Sequence, residues 1–199
     1  MTMPPVFIAA VPWQPERAVA AVKLHNQIKA DTGTEVTVTW DQDHDAYDTF
    51  VRNLEAAGQA EAGAVFMEDD VILTRDFGTK ITAVIAEHPT DVIQFYSNRD
   101  ADLTTGSRYE SGRGFMNNQC WYAPPGLAPD LAAHLRAWPA RLDGRDPTGY
   151  DLAMADHFKA NRIRYWISVP SLVQHRDMRS VINSRRPHGV LRQSRTFQP

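Results

Sequence analysis

A chain of 199 residues that is 43% hydrophobic and 10% aromatic has enough apolar side chains for one domain with a proper core, and too few residues for two large ones. Its formal net charge is −3, and its single cysteine, Cys120, excludes an internal disulfide and any multi-cysteine zinc cluster. No basic-apolar-small leader opens the chain and no apolar run approaches the roughly 20 residues that span a bilayer, so the expectation is a cytoplasmic protein with no membrane span.

Val6-Phe7-Ile8-Ala9-Ala10 reads as a buried first strand, and Pro15 opens a helix whose apolar positions Val19, Val22, Leu24 and Ile28 recur at roughly helical spacing. Glu35 to Trp40 alternates as a second strand. Ala46 to Gln59 fits a second helix, capped by Asp45, with Phe50, Val51 and Leu54 as its inner face. Ala64 to Glu68 is a third strand, a helix near Phe77 to Glu87 follows with Asp76 as a candidate cap, and Val92 to Tyr96 is a fourth strand. This β-α-β-α-β-α-β opening predicts an α/β fold with a mostly parallel central sheet and helices on both faces.

Asn98 to Gly114 is polar, contains Gly106, Gly112 and Gly114, and shows no periodicity. It reads as a long loop, either a lid or a disordered stretch. Phe115 to Tyr122 resumes as a strand in which Cys120 is a core residue, Pro129 to Trp138 and Tyr150 to Ala160 read as helices, and Arg164 to Val169 is the last strand.

The sequence Ala64-Val65-Phe66-Met67-Glu68-Asp69-Asp70-Val71 sets three consecutive carboxylates at the end of a buried strand. At an effective dielectric near 20, two like charges about 4 Å apart repel by roughly 4 kcal/mol, so such a cluster calls for a cation. A hard divalent ion that also binds phosphates suits carboxylate oxygens. In open α/β sheets ligands bind beyond the carboxyl ends of the strands, where both these acids and Asp41 fall. From Arg176 to the end there are six Arg against one Asp, a balance of +5 that leaves −8 on residues 1–175. The chain therefore divides into a domain over 1–175 and a basic tail over 176–199, partly closing over the site and partly flexible, suited to anions.

Four segments then resemble the GT-A glycosyltransferases, and within them the family 25 lipooligosaccharide-type enzymes. They are Tyr47-Asp48-Thr49-Phe50-Val51-Arg52-Asn53-Leu54, Phe66-Met67-Glu68-Asp69-Asp70-Val71, Gly149-Tyr150-Asp151-Leu152-Ala153, and Val169-Pro170-Ser171-Leu172-Val173-Gln174-His175 with Ser180 shortly after. The resemblance implies a single GT-A-like, Rossmann-related domain that transfers one sugar, with inversion, from a nucleotide-sugar such as a UDP-sugar to an acceptor hydroxyl, assisted by Mn²⁺ or Mg²⁺. It implies Asp70 as a direct metal ligand, Glu68 acting through water or on the ribose, Asp69 between them on the donor side, and His175 as a further ligand. It also implies Asp151 as the base that deprotonates the acceptor, with Asp156 in reserve. Asp41 would serve the base or ribose, and Arg52 and Asn53 the nucleotide. By charge and position just beyond His175, Arg176, Arg179, Arg185 and Arg186, with Ser180 among them, suit the diphosphate or, alternatively, a polyanionic acceptor. The leading Glu68 departs from the strict Asp-x-Asp form.

Several roles have structural alternatives. Asp151 is equally a first-turn acid of its helix, Asp41 and Arg52 surface caps or helix charges, and Trp13 either a rim aromatic or a platform for the base. The acceptor is a glycan or, given the arginine tail, DNA with a hydroxylated base, as phage-type transferases use; the protein would then work in a host cytoplasm. A nucleotidyltransferase or nucleotide-sugar hydrolase would use the same acids, but Ala9-Ala10-Val11-Pro12-Trp13 offers no phosphate-binding glycine loop. A non-catalytic sugar or nucleic-acid binding module on the same fold is the alternative from another class.

Overall fold

The computed structural model describes residues 2–115, 118–145, 149–176, 178 and 193–199. Strand β1 (Val6–Ala10) leads to helix α1 (Pro15–Thr32), strand β2 (Val36–Trp40), helix α2 (Ala46–Ala56) with a 3₁₀ turn over Ala57–Gln59, and strand β3 (Ala64–Glu68). A short strand β4 (Val71–Leu73), helix α3 (Phe77–Glu87), strand β5 (Val92–Gln94), helix α4 (Asp102–Thr105) and strand β6 (Arg108–Ser111) follow. Strand β7 (Cys120–Ala123), helices α5 (Leu127–Arg136), α6 (Pro139–Leu142) and α7 (Tyr150–Ala160), and strands β8 (Arg164–Ile167) and β9 (Val173–His175) complete the described elements.

The seven-stranded sheet has the order β2-β1-β3-β7-β5-β8-β6. Strands β2, β1, β3, β5 and β8 share one direction, while β7 and β6 run against them. The expected α/β domain with a mostly parallel sheet is therefore present. Side chains alternate across the strands. Phe7, Phe66 and Trp121 face α2, α5 and α7, whereas Ile8, Val65 and Met67 face α1 and α3. On the first face Phe66 stacks on Trp121 at a centroid distance of 4.7 Å.

The structure corrects several expectations. Val19 and Val22 are 53% and 49% exposed; α1 buries Leu24 and Ile28 as expected, with Arg17, Ala20 and Ala21 in place of the two valines. Small alanines let this helix lie close to the sheet, and Arg17 is retained inside for its charge. Asp45 caps α2, accepting from the Asp48 N–H at 3.0 Å, but Asp76 makes no side-chain cap on α3. There the Gly78 N–H is satisfied by Asp31 of α1 at 2.7 Å.

The stretch read as a long loop folds into α4 and the edge strand β6, which pairs antiparallel with β8. Its alternation is charged rather than apolar: Arg108 bonds Glu110 at 2.8 Å and Asp102 at 2.9 Å. Such charges suit an exposed sheet edge. At the other end of the chain, residues 193–199 are tied to the domain through the buried Ser194. Ser194 donates to Ser171 Oγ at 2.8 Å, and Gln174 bonds both the N–H and the carbonyl of Ser194.

Candidate functional site

Strand β3 ends the apolar run with three acids whose fates follow from pleat geometry. Phe66 faces the α2, α5 and α7 layer, and two residues on Glu68 points the same way, toward α7, where its Oε1 accepts from the Tyr150 phenol at 2.9 Å. Asp69 points to the opposite face and is fully buried beneath α1. Its Oδ2 accepts from the Val11 N–H at 2.8 Å, and its Oδ1 accepts from Arg17 Nε at 2.9 Å and also from Arg17 Nη2. Asp70 lies where the chain turns into β4, with its Oδ2 3.3 Å from Arg17 Nη2 and 3.5 Å from His175 Nε2.

The chain thus carries a cation of its own for this cluster. Arg17 neutralises Asp69 and leans on Asp70, which corrects the inference that all three acids require a bound ion. Asp69, expected on the donor side, is an anchor between β3 and α1. Burial pushes its carboxyl up to about 6 against the opposing pull of Arg17. Burial likewise works against the Arg17 charge, but Asp70 and Asp69 outweigh it and hold the guanidinium protonated. Three N–H donors aimed at Asp69 keep it ionised at neutral pH.

The remaining two acids meet His175 through a separate piece of structure. Strand β9 pairs antiparallel with β4, placing His175 opposite Val71, and the Arg176 N–H bonds the Asp70 carbonyl at 2.6 Å. Glu68, Asp70 and His175 then each present a ligand atom, all within 4.8 Å of one another, with Asp70 and His175 buried and Glu68 partly exposed. Ligand atoms bonded near 2.1 Å to one ion lie about 3 Å apart when adjacent and about 4.2 Å when opposed, so these three side chains draw inward to close on a divalent ion. Two carboxylates and an imidazole fit Mn²⁺.

Asp151 stands in the first turn of α7, one residue after Tyr150, and accepts from the Asn118 amide. Asn118 leads into β7 beside the end of β3, where the Glu68 N–H bonds the Gln119 carbonyl at 3.1 Å. Asp151 is thereby tied to the acid cluster from two sides. Asp156, the reserve base, accepts from the Trp138 indole at 3.1 Å.

The residues assigned to the nucleotide follow β1 and β2 or lie on α2 beside them. Asp41 is buried, accepts from the Asp45 N–H at 2.9 Å, and has its carboxyl pushed up by burial. Asn53 is buried and accepts from Thr39 at 2.8 Å. Arg52 is partly exposed and bonds Asp48 at 2.9 Å and the Trp40 carbonyl at 3.3 Å. Trp13, after β1, stacks on His44, after β2, with centroids 3.9 Å apart. Arg176 donates to the Val71 carbonyl at 3.3 Å. Arg179, Ser180, Arg185 and Arg186 lie outside the described residues.

Sequence reasoning missed Arg17, Tyr150 and Asn118. For Arg17 a signal existed: the alternation of β3 turns Asp69 away from Glu68, and a buried acid facing α1 needs a cation from that helix. Tyr150 stands inside a quoted segment, but its contact with Glu68 spans 82 positions of sequence.

No family model matches this chain, and no curated protein is similar to it. A crystal structure of a glycosyltransferase involved in the glycosylation of the major capsid of PBCV-1 is similar, with 14% sequence identity and a TM-score of 0.48, covering 84% of this chain and 83% of that chain. A likeness of that degree says nothing about chemistry, which the side chains must supply.

Proposed function

We propose that this chain is a metal-dependent glycosyltransferase that moves a sugar from a nucleotide-diphosphate sugar, in the first instance a UDP-sugar, to an acceptor hydroxyl. The observation that carries this reading is the convergence of Glu68, Asp70 and His175 beyond the end of a parallel strand, with Asp151 fixed beside them by Asn118. Glu68, Asp70 and His175 would hold Mn²⁺ or Mg²⁺, which supplies charge neutralisation for the departing diphosphate. Asp151 would take the proton of the acceptor hydroxyl as that oxygen attacks the anomeric carbon opposite the leaving group. Trp13 on its His44 partner, with Arg52 and the buried Asp41 and Asn53 behind, forms the candidate nucleoside end.

The deciding experiment is calorimetric titration with a panel of nucleoside diphosphates, with and without Mn²⁺, on the wild type and on Asp70→Ala. Metal-dependent binding of one diphosphate, abolished in the variant, is the expected result. No binding of any diphosphate under either condition would sink the assignment, and donor binding without turnover on any acceptor would favour a binding module. Between acceptors, a hydroxylated DNA base requires affinity that falls steeply with salt, the consequence of arginines displacing counterions from phosphates. A glycan acceptor does not.

A further inference from the structure

Resting on the metal site just proposed, we infer that Tyr150 is a positioning residue: its phenol fixes the Glu68 carboxylate for cation binding and ties the first turn of α7, with Asp151, to that carboxylate. The phenol donates to Glu68 Oε1 at 2.9 Å, which leaves Oε2 as the oxygen open to an ion or its water. The ring has little freedom to swing away. Tyr150 is 8% exposed and stacks on Phe50 with centroids 4.6 Å apart and planes 18° apart, and Phe50 packs in turn against Trp121.

A glutamate at a strand end has several side-chain rotamers, and an ion captured by a wandering carboxylate must first order it. Tyr150 does that ordering in advance, the part that outer hydrogen-bond partners play around ligating carboxylates. The same bond makes the acid cluster and the base neighbours on one covalent turn, so an ion drawn to Glu68 also steadies Asp151.

The test is Mn²⁺ affinity, measured by calorimetry and by the electron paramagnetic resonance of free Mn²⁺, on the full chain. Tyr150→Phe removes the hydroxyl and keeps the stacking ring. Tyr47→Phe makes the same deletion at a phenol bonded to the Leu135 carbonyl at 2.8 Å, and serves as the comparator for a purely structural loss. The expected result is Mn²⁺ binding about 10-fold weaker or worse in Tyr150→Phe and unchanged in Tyr47→Phe. Glu68→Asp, which draws the carboxylate back from the phenol, should weaken Mn²⁺ to a similar degree, and adding Tyr150→Phe to it should cost nothing more. Should Tyr150→Phe fail to fold, Phe50→Leu decides the matter, because it removes the ring that holds the phenol in place and leaves every ligand intact: weakened Mn²⁺ binding supports the inference and wild-type affinity overturns it. Wild-type affinity in Tyr150→Phe would overturn the inference and leave the metal site standing, whereas wild-type affinity in Glu68→Asp would remove Glu68 from the metal site and the inference with it. Absence of Mn²⁺ binding by the wild type overturns both.

Discussion

The two faces of the central sheet treat neighbouring acids in opposite ways. On the face covered by α1 and α3, Asp69 is sealed beneath Arg17 with every oxygen engaged, and the pair is part of the core. On the face covered by α2, α5 and α7, Glu68 stays partly exposed and meets the phenol of Tyr150, within reach of Asp70 and of a histidine brought in by β9. One residue of offset along a pleated strand separates an internal ion pair from a cluster with room for a ligand. Three acids in a row thus part company: Asp69 closes the fold with Arg17, and Glu68 and Asp70 form the proposed metal site with His175.

That contrast is broken most forcefully at Arg17. Arg17→Ala leaves Asp69 buried without its partner, and loss of one member of such a pair costs about 3–5 kcal/mol. Urea unfolding should show a midpoint far below the wild type, and a loss under about 1 kcal/mol would mean that Asp69 is not ionised in the core. On the other face, Asp151→Asn should lower the rate of transfer by about 10² to 10⁴, the span of general-base effects, with unfolding and Mn²⁺ affinity close to wild type. Full transfer by that variant would remove Asp151 from the mechanism. A smaller effect sharpens the second face alone: Asp45→Ala deletes the α2 cap and should cost about 1 kcal/mol, seen as an earlier unfolding midpoint with unchanged Mn²⁺ affinity.

How far the sequence revealed this arrangement depended on which contacts are local. Strands β1 and β3 and helices α3 and α7 were legible because apolar runs and helical spacing are written within a few residues. Strands β4 and β9 were not, since each is three residues long, Ile72 is 38% exposed, and their pairing joins segments a hundred positions apart. The edge strand β6 hid behind glycines and charges. For the site the same division holds. Glu68, Asp70 and His175 were named together through a family resemblance, while their meeting depends on the illegible β4 and β9 pair. Val19 and Val22 misled because the first half of the buried face of α1 is an arginine and two alanines, weaker apolar signals than the two exposed valines, before Leu24 and Ile28 take it over.

The smallest predicted effect concerns the face that carries Asp151. His157, on α7, lies 5.0 Å from His134 of α5 between ring centroids, and is buried. Burial, then the neighbouring His134, lowers its pKa below the usual 6.5, with Asp130 of α5 opposing weakly. The unfolded chain, whose histidine titrates near its ordinary value, therefore binds a proton before the folded one does. Stability contributed by neutral His157 is complete above about pH 6.5 and is lost as the pH falls through that value toward the depressed one. His157→Gln cannot take up that proton, so unfolding curves at pH 7.5 and 5.5 should differ less in the variant than in the wild type. The equivalent comparison for the opposite face runs the other way. Asp69, raised to about 6, is more readily protonated folded than unfolded, so its own contribution to stability grows between neutral pH and about pH 4. An acid-induced loosening that vanishes in His157→Gln would therefore locate the sensitive contact between α5 and α7, on the same helix as the proposed base, while one that persists would place it elsewhere in the domain.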